Sequence, residues 1–384
     1  MTYLNADLYK LESYQAIEEA VVAVENGGQR IYYLALPTKL FSSVVENLST
    51  CSQTAKICRS QSTITKVILE KPFGSDYKSA KELDKQVNSL FTEDQIYRID
   101  HFLGKEAFQN IYAFRFANQL IDDSWNRSRI SAIKVTATET GTIEGRGGYY
   151  DDAGAIRDMV QNHMIQLVAA SLMEEPKSFA AADMQASRYK LIKSLRPYAG
   201  SVEMLRGQYT GYLSEEGVKR GSRTETYVAT ILEARNRRWK GVPILVETGK
   251  GLKEKETSIE FFFKAKSSLY TDATPNSVKI ELSPCMQIRM SMNMEKSDFQ
   301  FSTEPKPLTY EHLNDCPFVR VGDYERLLLD VLKGEQSLFV SGGEILESWR
   351  AVDPLLRAAG RDRLRKYALR SDGPTIKQLY DRLY

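Results

Sequence analysis

The chain has 384 residues, 42% of them hydrophobic and 27% charged, a globular composition with room for two domains. Its formal net charge of +2 indicates no bulk attraction to nucleic acid or to an anionic membrane. No apolar run reaches the length of a membrane span, and the N-terminus lacks a signal-peptide pattern. We therefore expect a cytoplasmic protein whose four cysteines, none of them in a CxxC pair, are free thiols.

The first hundred residues alternate between short apolar runs and helical patterns. Strands are predicted at residues 30–37, 65–70 and 95–99, and helices at residues 13–25, 40–48 and 79–90. This alternation is typical of a parallel α/β sheet, which binds ligands at the carboxyl ends of its strands. The segments EKPFG and IDHFLGKE both lie just past predicted strand ends, so we expect them to converge.

The pattern changes after Ile130. An alternating strand at residues 130–140 precedes a glycine-rich turn at 141–148 and a long helix at 153–173. Five strands without intervening helices are then predicted at residues 224–234, 242–248, 257–265, 277–283 and 287–293, followed by helices at 324–332 and 344–356. Consecutive strands of this kind predict an antiparallel sheet in an α+β domain.

The segment at residues 97–106, YRIDHFLGKE, is rich in ionisable side chains. His101 and Lys105 are four residues apart, so in a helical turn they would project from one face. An imidazole and an ammonium on one face suit a phosphate dianion. The alternative is a solvated charged turn.

Lys71 and His163 are the next candidates. Lys71 ends a predicted buried strand, and Pro72 keeps it extended through a peptide bond that can be cis. It is either a surface lysine that caps the sheet or a functional loop residue. His163 lies on the long helix, where it is either a packed histidine or a general base oriented by a carboxylate such as Asp100.

Further polar residues could contact a polyhydroxylated, anionic substrate. Asp158 and Asn162 are four residues apart on the long helix, and Glu139 lies near the end of the alternating strand. The lysines at positions 250, 253 and 255 either add positive charge near such a substrate or form a solvated turn.

These motifs together resemble the glucose-6-phosphate dehydrogenase family. The matching segments include VILEKPFGSD, DQIYRIDHFLGKE, EGRGGYYDDAGAIRDMVQNH, RWKGVPILVETGKGL, YERLLLDVLKGE and WRAVDPLL, which occur in order along nearly the whole chain. The resemblance implies an oxidoreductase that transfers hydride from C1 of glucose 6-phosphate to NADP, or in some members NAD, giving 6-phosphogluconolactone.

The resemblance also implies roles for individual residues. His163 corresponds to the base and Asp100 to its carboxylate partner; Lys71 and Pro72 lie where the family contacts the coenzyme. Substrate contacts are implied for Lys71, His101, Lys105, Glu139, Asp158, Lys250 and Lys255. No metal is implied.

The sequence departs from the family pattern at three places. The family opens with a strand, a GxxGDLA-type phosphate loop and a helix, and no such unit is found here. Phe102 replaces the tyrosine usual in the RIDHYLGKE motif. Some members hold a structural NADP through basic residues, but acidic Glu247, Glu256 and Glu281 stand at the corresponding positions, so we expect no structural NADP.

The resemblance therefore predicts an incomplete Rossmann-type parallel sheet in residues 1–100. A larger α+β domain with an antiparallel or mixed sheet and helices is predicted for residues 101–384, where it binds substrate and forms a homodimer or homotetramer. One hypothesis is an NADP-dependent enzyme. The other is a catalytically impaired relative that binds sugar phosphate or serves as a non-catalytic subunit, because the coenzyme loop is missing.

Overall fold

The parallel sheet predicted near the N-terminus is present. The computed structural model describes residues 3–24, 28–36, 38–55, 65–265, 269–297, 301–311, 322–361, 363–375 and 379. Three parallel strands lie in the order β1-β2-β3, and three helices accompany them. The elements are α1 (Leu11–Val22), β1 (Arg30–Leu34), α2 (Thr38–Ala55), β2 (Thr65–Leu69), α3 (Tyr77–Asn88) and β3 (Ile96–Arg98). All six predicted elements of this region are confirmed.

A mixed sheet of ten strands forms the second part of the chain. Its strands are β4 (Ile130–Thr138), β5 (Leu195–Pro197), β6 (Met204–Tyr209), β7 (Tyr227–Ala234), β8 (Ile244–Gly249), β9 (Glu256–Phe263), β10 (Ser277–Ser283), β11 (Gln287–Glu295), β12 (Thr303–Glu311) and β13 (Leu364–Tyr367). The order is β12-β11-β10-β9-β4-β8-β7-β6-β13, with β5 beside β7. The pairs β4–β8 and β6–β13 are parallel and the others antiparallel, so of the antiparallel or mixed sheet that was predicted, the structure has the mixed form.

The helix predicted at residues 153–173 is divided into three segments. They are α7 (Gly147–Ala155), a π-helix (Ile156–Met164) and α8 (Ile165–Leu172). Gly154 interrupts α7 with a φ of +68°, which favours glycine, and a Cβ there would lie 2.6 Å from the Glu225 carboxylate. From Asp158 to Met173 every residue is buried, so this helix passes through the interior and its polar side chains lie within the core.

Six further α-helices lie in the part of the chain that the structure describes. They are α4 (His101–Gly104), α5 (Glu106–Phe116), α6 (Gln119–Ser124), α9 (Ala181–Ser194), α10 (Asp323–Lys333) and α11 (Gly342–Ala359). One continuous hydrophobic cluster includes side chains from both sheets and from α11. Both sheets therefore share a core, and the carboxyl ends of their parallel strands can contribute to one site.

Two further expectations from the sequence were tested. Cys285 is disulfide-bonded, so the prediction of four free thiols is wrong for this residue. Among the described residues, no helix combines the length and the apolar composition needed to cross a membrane.

Candidate active site

The two predicted loops converge at the carboxyl ends of neighbouring strands. Lys71 follows β2, and Asp100 follows β3. The Lys71–Pro72 peptide bond is cis. Gly74 turns the chain with a φ of +80°, and a Cβ there would lie 2.5 Å from the backbone nitrogen of Ala80. The chain therefore turns at Gly74, five residues after the end of β2.

Two side chains from the second part of the chain hold this loop. The indole Nε1 of Trp349, on α11, donates to the carbonyl of Phe73 at 2.9 Å. The Arg157 guanidinium, on the π-helix, donates to the carbonyl of Ser75 at 2.9 Å. The position of Lys71 is therefore fixed by contacts with residues far away in the sequence.

His163 lies between Asp100 and Lys71. Its Nδ1 is 2.6 Å from Asp100 Oδ1, and its Nε2 is 2.8 Å from Lys71 Nζ. An ammonium can only donate a hydrogen bond, so Nε2 accepts, and the ring proton is on Nδ1, which donates to Asp100. The lone pair of Nε2 therefore points to the side on which Lys71 lies.

Lys71 also contacts Asp158, one turn before His163 on the π-helix. The Lys71 ammonium is 3.1 Å from Asp158 Oδ1, and the hydroxyl of Tyr149 donates to the same oxygen at 3.4 Å. A chain of polar contacts thus runs from Tyr149 through Asp158, Lys71 and His163 to Asp100. Four predicted substrate or catalytic residues, Asp158, Lys71, His163 and Asp100, are directly connected in it.

The carboxylates of this chain are held ionised. Burial raises the pKa of Asp100, but the nearby His163, the His101 ring and the Phe102 N–H outweigh it and lower this pKa to about 2. Burial also raises the pKa of Asp158, while Lys71, His163 and Lys250 lower it to a net value below its usual range. Both groups therefore remain acceptors at neutral pH.

The turn from His101 to Lys105 differs from its predicted form. Helix α4 ends at Gly104 and Lys105 is extended, so the His101 and Lys105 side chains do not share one helical face. The Phe102 ring lies between them instead: its centroid is 5.0 Å from that of the His101 ring, and Lys105 Nζ lies 4.5 Å from its centre. The same ring stacks on His163 with centroids 4.3 Å apart. Burial and then the neighbouring His163 lower the pKa of His101 to about 3, so the ring is neutral at pH 7.

Glu139 and Lys250 lie side by side on the mixed sheet. They follow β4 and β8, which are parallel neighbours with Thr138 opposite Gly249. Their side chains form an ion pair, and the Lys250 charge also acts on Asp158. Lys255 is exposed just before β9 and takes no part in these contacts.

Asp100, His101 and His163 could in geometric terms hold a metal ion, since one ligand atom from each lies within 4.8 Å of the others. Both ring nitrogens of His163 are already in hydrogen bonds, one of them with an ammonium that would repel a cation. We therefore keep the prediction of no metal. The glutamates that replace the basic residues of a structural NADP site are ion-paired, Glu247 with Lys134 and both Glu256 and Glu281 with Lys279.

Reasoning from the sequence missed several polar residues near His163. Tyr149 contacts Asp158, and a cavity beside His163 is lined by Gln161, Gln166 and Ser348. The adjacent tyrosines of the GRGGYYDD segment were a possible signal for the first. No signal in the sequence distinguishes the buried glutamines, because their burial depends on the tertiary packing of the π-helix.

Known proteins match this chain along nearly its whole length. Residues 1–110 match the family model described as "Glucose-6-phosphate dehydrogenase, NAD binding domain", and residues 112–382 match "Glucose-6-phosphate dehydrogenase, C-terminal domain". Glucose-6-phosphate 1-dehydrogenase of Takifugu rubripes is 36% identical over 361 residues, which cover 90% of this chain and 67% of that protein. Glucose-6-phosphate 1-dehydrogenase 6, cytoplasmic, of Arabidopsis thaliana is 34% identical over 97% of this chain and 74% of that protein.

A solved structure of glucose-6-phosphate dehydrogenase in complex with its substrate glucose-6-phosphate superposes with a TM-score of 0.86 at 31% identity. The match covers 100% of this chain and 82% of that one. The fold and the matched domains define an oxidoreductase with a nicotinamide-coenzyme domain followed by a mixed-sheet domain. The chain belongs to the glucose-6-phosphate dehydrogenase family.

Proposed function

We propose that this protein oxidises glucose 6-phosphate at C1 to 6-phosphogluconolactone, with NADP as the hydride acceptor and NAD as a possible substitute. The observation that carries the proposal is the position of His163, whose Nε2 lone pair faces Lys71 while Nδ1 is bound to Asp100. A base held in one tautomer at the carboxyl ends of parallel strands suits proton removal during hydride transfer.

The oxidation removes one proton from the C1 hydroxyl and one hydride from C1 of the sugar. The C1 hydroxyl takes the place of the Lys71 ammonium at His163 Nε2 and gives its proton to that nitrogen. The C1 hydrogen leaves as hydride, and the oxygen forms the lactone carbonyl. Asp100 stabilises the resulting imidazolium through the 2.6 Å contact at Nδ1.

The remaining residues orient the sugar phosphate. Lys105 supplies a cation for the phosphate, and neutral His101 supplies a ring N–H, since a dianion favours charge-assisted donors. Glu139, Asp158 and Lys250, with Lys71, face the sugar hydroxyls as donors and acceptors. Lys255, which is exposed, is assigned to the substrate-binding residues by the family resemblance alone.

The coenzyme site fits the parallel sheet. Nicotinamide coenzymes bind at the carboxyl ends of such strands, where Lys71 lies beside His163 and is followed by Pro72. When bound, the nicotinamide ring accepts the hydride. Lys71 and Pro72 would hold it from the protein side.

We further propose a division near residue 100, with residues 1–100 for the coenzyme and 101–384 for substrate binding and assembly. Exposed Leu308 and Tyr310 on the outermost strand β12 support a homodimer or homotetramer through the mixed sheet. The relative named as cytoplasmic supports a cytoplasmic location. We propose no metal, structural NADP, nucleic-acid or membrane partner.

The test is coenzyme reduction by the purified chain, followed by the absorbance of the reduced nicotinamide. Glucose 6-phosphate should support reduction of NADP, and unphosphorylated glucose should not, because Lys105 then has no dianion to bind. Tight sugar-phosphate binding without reduction of either coenzyme would favour the non-catalytic alternative, for which the family membership gives no support.

A further inference from the structure

A small cavity beside the Asp100–His163 pair contains oxygen atoms without hydrogen-bond donors. Asp100 Oδ1 accepts from His163 Nδ1 and from the Phe102 N–H at 3.0 Å, but Asp100 Oδ2 is buried and has no partner among the described residues. The Oε1 atoms of Gln161 and Gln166 are also buried and without partners in that part of the chain. The cavity that all three residues line has a volume of about 10 Å³, the size of a single water molecule.

The orientation of the Gln161 amide is fixed by its neighbour. Gln161 Nε2 is 2.7 Å from Ser348 Oγ. That hydroxyl has one hydrogen, which it donates to the carbonyl of Ile345 at 2.8 Å. Ser348 Oγ must therefore accept from the amide NH₂, and Gln161 Oε1 cannot be exchanged with it. The carboxylate and the amide oxygen are thus both acceptors, which need a donor between them.

Resting on the function proposed above, we propose that a buried water molecule occupies this cavity and makes Gln161 a positioning residue for the catalytic pair. The water donates one hydrogen to Asp100 Oδ2 and the other to Gln161 Oε1. The side-chain amide of Gln166 makes no hydrogen bond among the described residues, so it can reverse and donate to the water oxygen. Three hydrogen bonds are the usual number for a buried water.

The consequence concerns the orientation of the Asp100 carboxylate. With Oδ2 bound to the water, Oδ1 remains directed at His163 Nδ1, which keeps the ring proton on that nitrogen and the Nε2 lone pair available. Gln161 and His163 are on the same π-helix, so Gln161 acts from the same rigid element. Among the described residues the Gln161 side chain hydrogen-bonds with Ser348 and not with Lys71, Lys105 or Lys250, so sugar-phosphate affinity should not depend on it.

Replacing Gln161 with leucine tests the proposal, because leucine has a similar size and no acceptor. We expect Gln161→Leu to lower kcat about tenfold, as loss of an outer partner of a catalytic histidine does. The KM for glucose 6-phosphate should stay within about twofold, because the phosphate contacts are untouched. Gln208→Leu is the matched control: Gln208 is a fully buried glutamine on β6, outside the site, and its loss should lower stability while leaving kcat unchanged.

The proposal would be overturned if kcat of Gln161→Leu were unchanged. It would also be overturned if KM rose by the same factor by which kcat fell, since either result assigns Gln161 a merely structural role. A crystal structure of the unmodified protein provides a second test that needs neither folding of the variant nor activity. It should show a water within about 3.2 Å of Asp100 Oδ2. A side chain, a metal ion or empty space at that position would refute it, even if the proposed dehydrogenase activity is found.

Discussion

At the π-helix end of the site the charged groups are buried and paired with one another, whereas at the turn from His101 to Lys105 they are partly accessible. His163 and Asp100 are 1% and 4% exposed and in direct contact. His101 and Lys105 are half-buried, and an aromatic ring lies between them. The first group is arranged before substrate arrives, whereas the side chains of the second remain accessible to an anion from solvent.

This difference follows from what each part must do. A general base works only in one tautomer and orientation, so burying it beside Asp100 fixes both before the reaction. A phosphate dianion must enter from water and return to it, so Lys105 and the neutral His101 ring that bind it remain partly accessible. We therefore expect substitutions at the π-helix to affect turnover, and substitutions at the turn to affect binding.

The sharpest test of this division is His163→Asn. Asparagine can keep a hydrogen bond to Asp100 but cannot accept the C1 proton, so kcat should fall by about 10²–10⁴-fold. Affinity for glucose 6-phosphate, measured by calorimetry, should change little because the phosphate contacts of Lys105 and His101 are intact. Equal losses in turnover and in binding would show that the two groups do not work separately.

The fold of the N-terminal parallel sheet was largely predictable because the sequence patterns that indicate its strands are local. The strands β1, β2 and β3 are short apolar runs that end at Pro, Gly or charged residues, and all were predicted. Strand β12 was missed because Pro305 and Pro307 disrupt the strand pattern; proline is tolerated at an edge strand, where β12 lies. The π-helix was missed because its apolar pattern fits an ordinary helix equally well.

The site was predictable only in part. Lys71 and Asp100 each follow a strand, so their convergence follows from the parallel topology. The contact between Asp100 and His163 joins residues 63 positions apart and depends on packing of a buried helix, which no local pattern gives. The neutral state of His101 also required the structure, because it results from burial next to His163.

Substitutions of Lys105 and Lys255 compare how much the turn and an exposed lysine outside it contribute to substrate affinity. Lys105→Ala should weaken glucose 6-phosphate binding by about 1.5–3 kcal/mol, the scale of a charge-assisted hydrogen bond. Lys255→Ala should have a smaller effect that disappears at high salt, because Lys255 is exposed and its charge is screened. Calorimetric titrations at two salt concentrations measure both. A larger effect from Lys255 would place the phosphate away from the turn.

The pH dependence of stability tests the buried pair. The pKa of Asp100 in the folded protein, about 2, is below its ordinary value of 3.8, so the unfolded chain binds its proton first. The stabilisation is therefore complete above about pH 4 and is lost as the pH falls toward 2, on the order of 2 kcal/mol. Urea unfolding at pH 5, 4 and 3 should show a steeper loss for the native protein than for Asp100→Asn. Parallel curves would mean that Asp100 is not stabilised as an anion.

A proton balance tests the state of His101. Its pKa is about 3 in the free protein, and a bound phosphate dianion must raise it, because negative charge favours the imidazolium. Between these two pKa values the complex holds a proton that the free protein lacks, so binding takes up protons through this group. Calorimetry in buffers of different ionisation enthalpy should show less uptake for His101→Gln. Identical proton uptake would indicate that the phosphate does not approach this ring.

The smallest effect is expected at Tyr149, which contacts Asp158 of the buried group and is itself partly exposed. Its hydroxyl donates to Asp158 at 3.4 Å, a long bond from a side chain that is 43% exposed, so water can replace it. Tyr149→Phe should therefore lower kcat/KM no more than about fivefold, the scale of a neutral hydrogen bond of about 1 kcal/mol. Asp158 keeps its 3.1 Å contact with Lys71 in this variant, so the position of Lys71 should not change. A loss approaching that of His163→Asn would mean that the tyrosine hydroxyl contacts the reacting sugar. The site would then contain a third, solvent-facing group besides the buried catalytic group and the accessible binding group.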